Sequence, residues 1–156
     1  MTRYQKYPET SSFYFYNANP KSRYTSDCVV RAICVALEET WDDVIMEMAK
    51  LSCETGYSIN DTNGINLYLE RKGFVKQSQP RKDDNTRYTG REFCNWLSVN
   101  YPNGELGRVV ANIGSGHTVC IIPTNHGDGI NCRYKVLDTW DSSDGCIGNY
   151  WAKNKP

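Results

Sequence analysis

The chain has 156 residues, and Lys+Arg and Asp+Glu both total 18, so its formal net charge is zero. That length suits one domain of roughly 100–200 residues with a single sizeable core, and the charge balance gives no support for a general nucleic-acid or anionic-membrane binder. No apolar run approaches the roughly 20 residues of a membrane span, and the stretch from Met1 to Pro8 lacks the apolar segment of a secretion signal, so a cytoplasmic protein is expected.

Residues 1–24 are polar, aromatic and broken by Pro8 and Pro20. They read as an extended arm with a short strand from Ser12 to Tyr16 and a turn at Asn17-Ala18-Asn19-Pro20, where the proline holds Asn19 extended. Thr25, Ser26 and Asp27 all suit a helix N-cap. Val29, Val30, Ile33 and Leu37 follow at helical spacing, which predicts a central helix from about Asp27 to Glu38. Thr40 caps a second helix with Asp42 and Asp43 in its first turn and Trp41, Val44, Ile45, Met48 and Leu51 as its apolar stripe. A loop containing Gly56 is expected from Cys53 to Asn60.

A third helix from about Asn63 to Lys72 ends at Gly73. Phe74 to Gln77 suits a short strand, and Ser78 to Asn85 a loop. Thr89 and Glu92 fit a capping box for a fourth helix that ends near Tyr101-Pro102-Asn103-Gly104. The pattern then changes to strands: Arg108 to Ile113, His117 to Ile122 (stopped by Pro123) and Arg133 to Leu137. A polar loop from Asn125 to Asn131 joins the last two, and Gly145 to Trp151 adds an edge strand. Helices followed by an antiparallel meander make an α+β pattern. The expected plan is one domain over 1–156, with an arm (1–24), a helical part (25–104) and a C-terminal antiparallel sheet (105–156).

Seven cysteines, at positions 28, 34, 53, 94, 120, 132 and 146, form no CxxC pair and have no His at finger-like spacing. Neither a metal nor a cofactor is expected, and a reducing compartment is the simpler assumption. Cys34, Cys53, Cys94 and Cys120 read as small core residues. Cys28 differs. It stands at the start of the central helix, where unpaired backbone N–H groups and the positive end of the helix dipole favour thiolate over thiol. The alternative reading is a buried cysteine at the head of a core helix.

His117 directly follows the Gly114-Ser115-Gly116 turn, at the first position of an apolar strand, and Asp138 stands at the far end of the next strand. If those strands pair antiparallel, the end of one lies beside the start of the other. Cys28, His117 and Asp138 then form the set that nucleophilic acyl transfer needs: a thiolate, an imidazole that shares and returns its proton, and a carboxylate that orients the ring. Asp141 is the alternative orienter, and Asp27 and Trp140 are candidates for the cleft. His126, in the polar loop, is expected to be exposed.

The order of cysteine, helices, histidine and aspartate, with the last two on adjacent strands, resembles the papain-like cysteine peptidases and most of all their small bacterial and phage members. Asp27-Cys28 at the helix start is similar to the bacteriocin-processing branch. Asn19-Pro20, the run from Thr25 to Ile33, Ser115-Gly116-His117 and the run from Leu137 to Asp141 resemble phage-encoded proteins of that fold. The resemblance spans about residues 17–151 and implies a thiol hydrolase. That would be a peptidase working through a thioester acyl-enzyme on a protein or peptide, in the host cytoplasm if phage-encoded. It also admits a catalytically silent domain that binds a host protein target, or a deamidase or transglutaminase type of acyl transferase. Papain-like enzymes carry a Gln before the cysteine as an oxyanion donor. This chain has none between Gln5 and Cys28, which leaves Asn19 or Asn17 as amide candidates.

Overall fold

In the computed structural model, residues 1–125 and 132–153 are described. They form a mixed α+β fold with helices α1 (Arg3–Lys6), α2 (Cys28–Leu37), α3 (Trp41–Thr55), α4 (Thr62–Arg71) and α5 (Gly90–Asn100). The strands are β1 (Phe13–Phe15), β2 (Phe74–Gln77), β3 (Val109–Ile113), β4 (His117–Asn125), β5 (Cys132–Asp138) and β6 (Ile147–Lys153).

Most of α2 is buried, including Val29, Val30, Ala32, Ile33, Cys34 and Ala36. A helix apolar on nearly every side belongs inside a core. It packs with α3 and α4 through Val44, Met48, Leu51, Ile65 and Leu69 against one sheet face, which contributes Val110, Cys120 and Trp151. The opposite face carries Val109, Ala111, Val119, Ile121, Val136 and Ile147 and is covered by α5 through Phe93, Cys94 and Leu97. The sheet is therefore the middle of three layers, and the near-continuous apolar runs of β3 and β4 reflect burial on both faces.

The sheet order is β1-β5-β4-β3-β6-β2. It is mixed rather than the antiparallel C-terminal unit expected, because β1 from the arm pairs parallel with β5 (Phe13↔Val136, Phe15↔Asp138) and β2 from the helical part pairs antiparallel with β6. The segment expected at the edge, β6, is interior, between β3 and β2. The arm also opens with the short helix α1, fixed by a Thr2/Gln5 capping box that the proline-broken composition concealed.

Smaller differences have local causes. Helix α3 runs past Cys53 to Thr55 and stops at Gly56, whose φ of 81° suits glycine, so Cys53 is exposed rather than core. Strand β4 continues through Pro123 to Asn125. Its pairing with β3 begins at Val109↔Ile121, so beyond Ile121 that side has no β3 ladder to interrupt, and a proline without an N–H is tolerated. Thr40 and Thr89 cap α3 and α5 as their sequences predict.

Candidate active site

Helix α2 begins at Cys28, and Asp27 occupies its N-cap position without making a capping bond. The first-turn backbone N–H groups, that of Cys28 included, therefore have no side-chain cap. The Asp27 carboxylate turns instead into the protein. Its Oδ1 accepts from Arg31 Nε at 2.9 Å, and its Oδ2 accepts from Asn19 Nδ2 at 3.1 Å and Trp41 Nε1 at 3.0 Å.

Strands β4 and β5 pair antiparallel with Cys120 opposite Leu137. Continued by one residue, that register sets Asp138 across from Val119 and diagonal to His117 on the same face, within reach of long side chains. His117 Nε2 and Asp138 Oδ2 are 2.6 Å apart. With Nε2 engaged, Nδ1 is the ring nitrogen left to face Cys28, which lines the same cleft as His117 and Thr118.

Asp138 is 1% exposed, and its carboxylate is held on every side. Oδ1 accepts from Arg31 Nη1 at 3.1 Å and from the Thr139 backbone N–H at 2.8 Å; Oδ2 accepts from Ser142 Oγ at 2.6 Å in addition to facing His117. The backbone is fixed as well, since Tyr16 N–H donates to Asp138 O at 2.9 Å. Trp140 lies against the imidazole, with ring centroids 5.2 Å apart and an angle of 37° between the planes.

These contacts set the charges. Burial pushes the Cys28 thiol up. The His117 hydrogen bond, the Thr118 backbone and the positive charges of His117 and Arg31 outweigh it, so the thiol ends below its ordinary value. Burial alone would lower the His117 imidazolium, but hydrogen bonds and charge from Asp138 and Cys28 raise it to about 9. Burial would raise Asp138 too. His117, Ser142 and Thr139 together hold it below the usual carboxylate value. The arrangement favours a thiolate beside an imidazolium, oriented by a buried carboxylate, which is the state required for nucleophilic attack on a carbonyl.

Cys28, His117 and Trp140 line a cleft of about 860 Å³ together with Thr25, Ser26 and Asn112. Asn112 stands at the irregularity in β3–β6 pairing between Ala111 and Ile113, and bulges of this kind re-aim side chains beside sites. Among the described residues, no three His, Cys, Asp or Glu side chains are grouped to hold a metal ion.

Four sequence candidates take other places. Asn17 and Asn19 do not line this cleft. Asn17 Nδ2 donates to Arg23 O and its Oδ1 accepts from Asn19 N–H; Asn19 donates to Asp27 and accepts from Lys21 N–H. Both serve the turn before Pro20. Asp27 lies behind the cleft in the Arg31 network, and Asp141 caps its own turn by accepting from the Ser143 N–H and hydroxyl, so Asp138 and not Asp141 holds the ring. His126 lies outside the described residues.

Sequence reasoning passed over Arg31 and Ser142. The signal for Arg31 was a lone charge four residues after Asp27 within an otherwise apolar helix. Ser142 carried none.

No family model, no curated protein and no solved structure matches the chain. The functional reading therefore rests on the site itself.

Proposed function

We propose that this chain is a papain-like cysteine hydrolase acting as a peptidase, with Cys28 as nucleophile, His117 as acid and base, and Asp138 as the group that orients the ring. The observation that carries this reading is the 2.6 Å contact of His117 Nε2 with Asp138 Oδ2, made by a ring that lines one cleft with Cys28.

The Cys28 thiolate attacks the carbonyl carbon, forming a C–S bond as the π electrons move to oxygen. The first-turn N–H groups of α2 stabilise that oxyanion. Collapse expels the amine, which takes the His117 proton, and leaves a thioester. His117 then removes a proton from water, the resulting hydroxide equivalent attacks the thioester, and the C–S bond breaks to release the acid and restore thiolate and imidazolium.

Asp138, fixed by Arg31 and Ser142, holds the ring throughout. The test is turnover of a mixed fluorogenic peptide library by the native chain, Cys28→Ala and His117→Ala. Cleavage lost in both variants supports the reading, and cleavage retained by Cys28→Ala refutes it. Ammonia release without backbone cleavage would move the same chemistry to side-chain amides.

A second reading, a catalytically silent domain that binds a partner protein, is favoured by one observation: the Asn19 amide is committed to Asp27 and so takes no part in an oxyanion site. A biological effect unchanged by Cys28→Ala would support this second reading.

A further inference from the structure

The charge lining the cleft is one-sided. Among the described residues it holds Arg3, Arg31, Arg87 and His117 and no Asp or Glu. Arg31 is already matched by two carboxylates, Asp27 and Asp138, and offers no net charge to a ligand. His117 is matched by Asp138 and Cys28. Arg3 and Arg87 remain. Arg3 is exposed, donates through Nε to Thr139 O at 2.7 Å and lies over the Tyr24 ring at 4.4 Å. Its two terminal nitrogens have no acidic partner among the described residues. Arg87 is exposed too, and its guanidinium has neither an ion pair nor a hydrogen bond among the described residues.

The fold separates these two cations. Arg3 is tied to Thr139, the residue after β5. Arg87 precedes Tyr88, whose carbonyl accepts from Ile147 N–H at the start of β6. Strands β4 and β3 lie between β5 and β6, so the two anchor points are three strand spacings apart, about 14 Å at roughly 4.8 Å each. His117, at the start of β4, lies between them. An extended peptide crossing the strand ends covers about 14 Å in four or so residues.

We propose that the cleft selects peptide segments carrying carboxylates on both sides of the bond presented to Cys28, with Arg3 and Arg87 as the two anion-binding ends. This rests on the acyl-transfer reading above. A peptide fits better than a nucleic acid. Two isolated cations do not track a phosphate backbone, and the two aromatic rings of the cleft, Tyr24 and Trp140, already carry Arg3 and His117 against them rather than offering open platforms for bases.

The test measures binding without turnover. Full-length Cys28→Ala protein is titrated against fluorescein-labelled hexaglutamate, the neutral peptide (Gly-Gln)3 and labelled hexathymidylate, read by anisotropy at low and at moderate salt. Hexaglutamate should bind about ninefold more tightly than (Gly-Gln)3, the product of the two arginine contacts, and more tightly than hexathymidylate, with affinity falling as salt rises. Adding Arg87→Gln or Arg3→Gln should weaken it roughly threefold each, the scale of an exposed ion pair. Arg81→Gln, in the same loop but outside the cleft, should leave it unchanged.

Equal affinity for the two peptides, insensitivity to Arg87→Gln, or hexathymidylate binding as tightly as hexaglutamate would overturn the proposal. Failure of the acyl-transfer reading shows separately, as a native Cys28 no more reactive toward iodoacetamide than the exposed Cys53, and leaves the anisotropy comparison intact.

Discussion

Arg31 Nη1 donates to Asp138 Oδ1 at 3.1 Å, a contact between residues 107 positions apart, while Arg31 Nε holds Asp27 Oδ1 at 2.9 Å four residues before it. One guanidinium is thus shared by two buried carboxylates. Its forked geometry satisfies one oxygen of each and leaves Asp138 Oδ2 for His117 and Ser142. The orientation of the imidazole therefore depends on a helix that also presents the sulfur.

Replacing Arg31 by Met should leave two buried carboxylates without the guanidinium they share and cost about 3–5 kcal/mol of folding stability. Arg31→Lys should recover only part, because a single ammonium cannot reproduce the fork. Urea unfolding of the two variants checks this, and a loss under about 1 kcal/mol for Arg31→Met would show that the network does not hold the fold.

Thiol labelling should single out one cysteine of seven. Burial pushes the Cys34 thiol up to about 11 and those of Cys94 and Cys120 up to about 12, so these stay protonated and inaccessible. Cys28, lowered by its partners, should react with iodoacetamide first at pH 6, ahead of the exposed Cys53. Peptide mapping after timed quenching gives the order, and His117→Ala should remove the advantage of Cys28.

The pH dependence follows from opposite shifts. Reactivity of Cys28 should rise through its lowered value and hold until the imidazolium is lost near about 9. For stability, the folded-state value of His117 lies above its ordinary 6.5, so its contribution is complete below about 6.5 and lost as pH rises through about 9. Asp138 is lowered from 3.8, so its contribution is present above about 3.8 and lost as pH falls through the lower folded value. The difference in unfolding free energy between the native chain and His117→Ala, measured from pH 5 to 10, should shrink at the alkaline end.

Trp140 is 39% exposed and contributes little to the core, yet its ring lies on the imidazole. Trp140→Ala should change folding stability by less than about 1 kcal/mol. Loss of a cation–π contact of roughly 0.5–1 kcal/mol should move the alkaline limb of the labelling profile down by about half a pH unit. An unmoved limb would show that the ring only walls the cleft.

Features written in local chemistry were legible in the sequence. The Thr40 and Thr89 caps, the α2 periodicity and the β4–β5 pair all rest on neighbours within a few residues or across one hairpin-like connection, and that pair brings His117 to Asp138. The parallel pairing of β1 with β5 was hidden because three aromatic residues say nothing about a partner more than 100 positions away. The interior place of β6 depends on β2, which pairs from the middle of the chain. Asn17 and Asn19 carried the right chemistry for an oxyanion donor, but the turn took the amide of Asn17 and the Asp27 carboxylate that of Asn19. Arg31 was visible as an odd charge in an apolar helix; half of its meaning lay on a strand that had yet to be placed.

The same long separation bears on biosynthesis. A ribosome delivers Cys28 early and Asp138 only after His117, the rest of β4 and all of β5 have emerged, and Phe15 can close against Asp138 no sooner. Until then the Cys28 sulfur lacks both the imidazole and the carboxylate that orients it, and it emerges as an ordinary thiol.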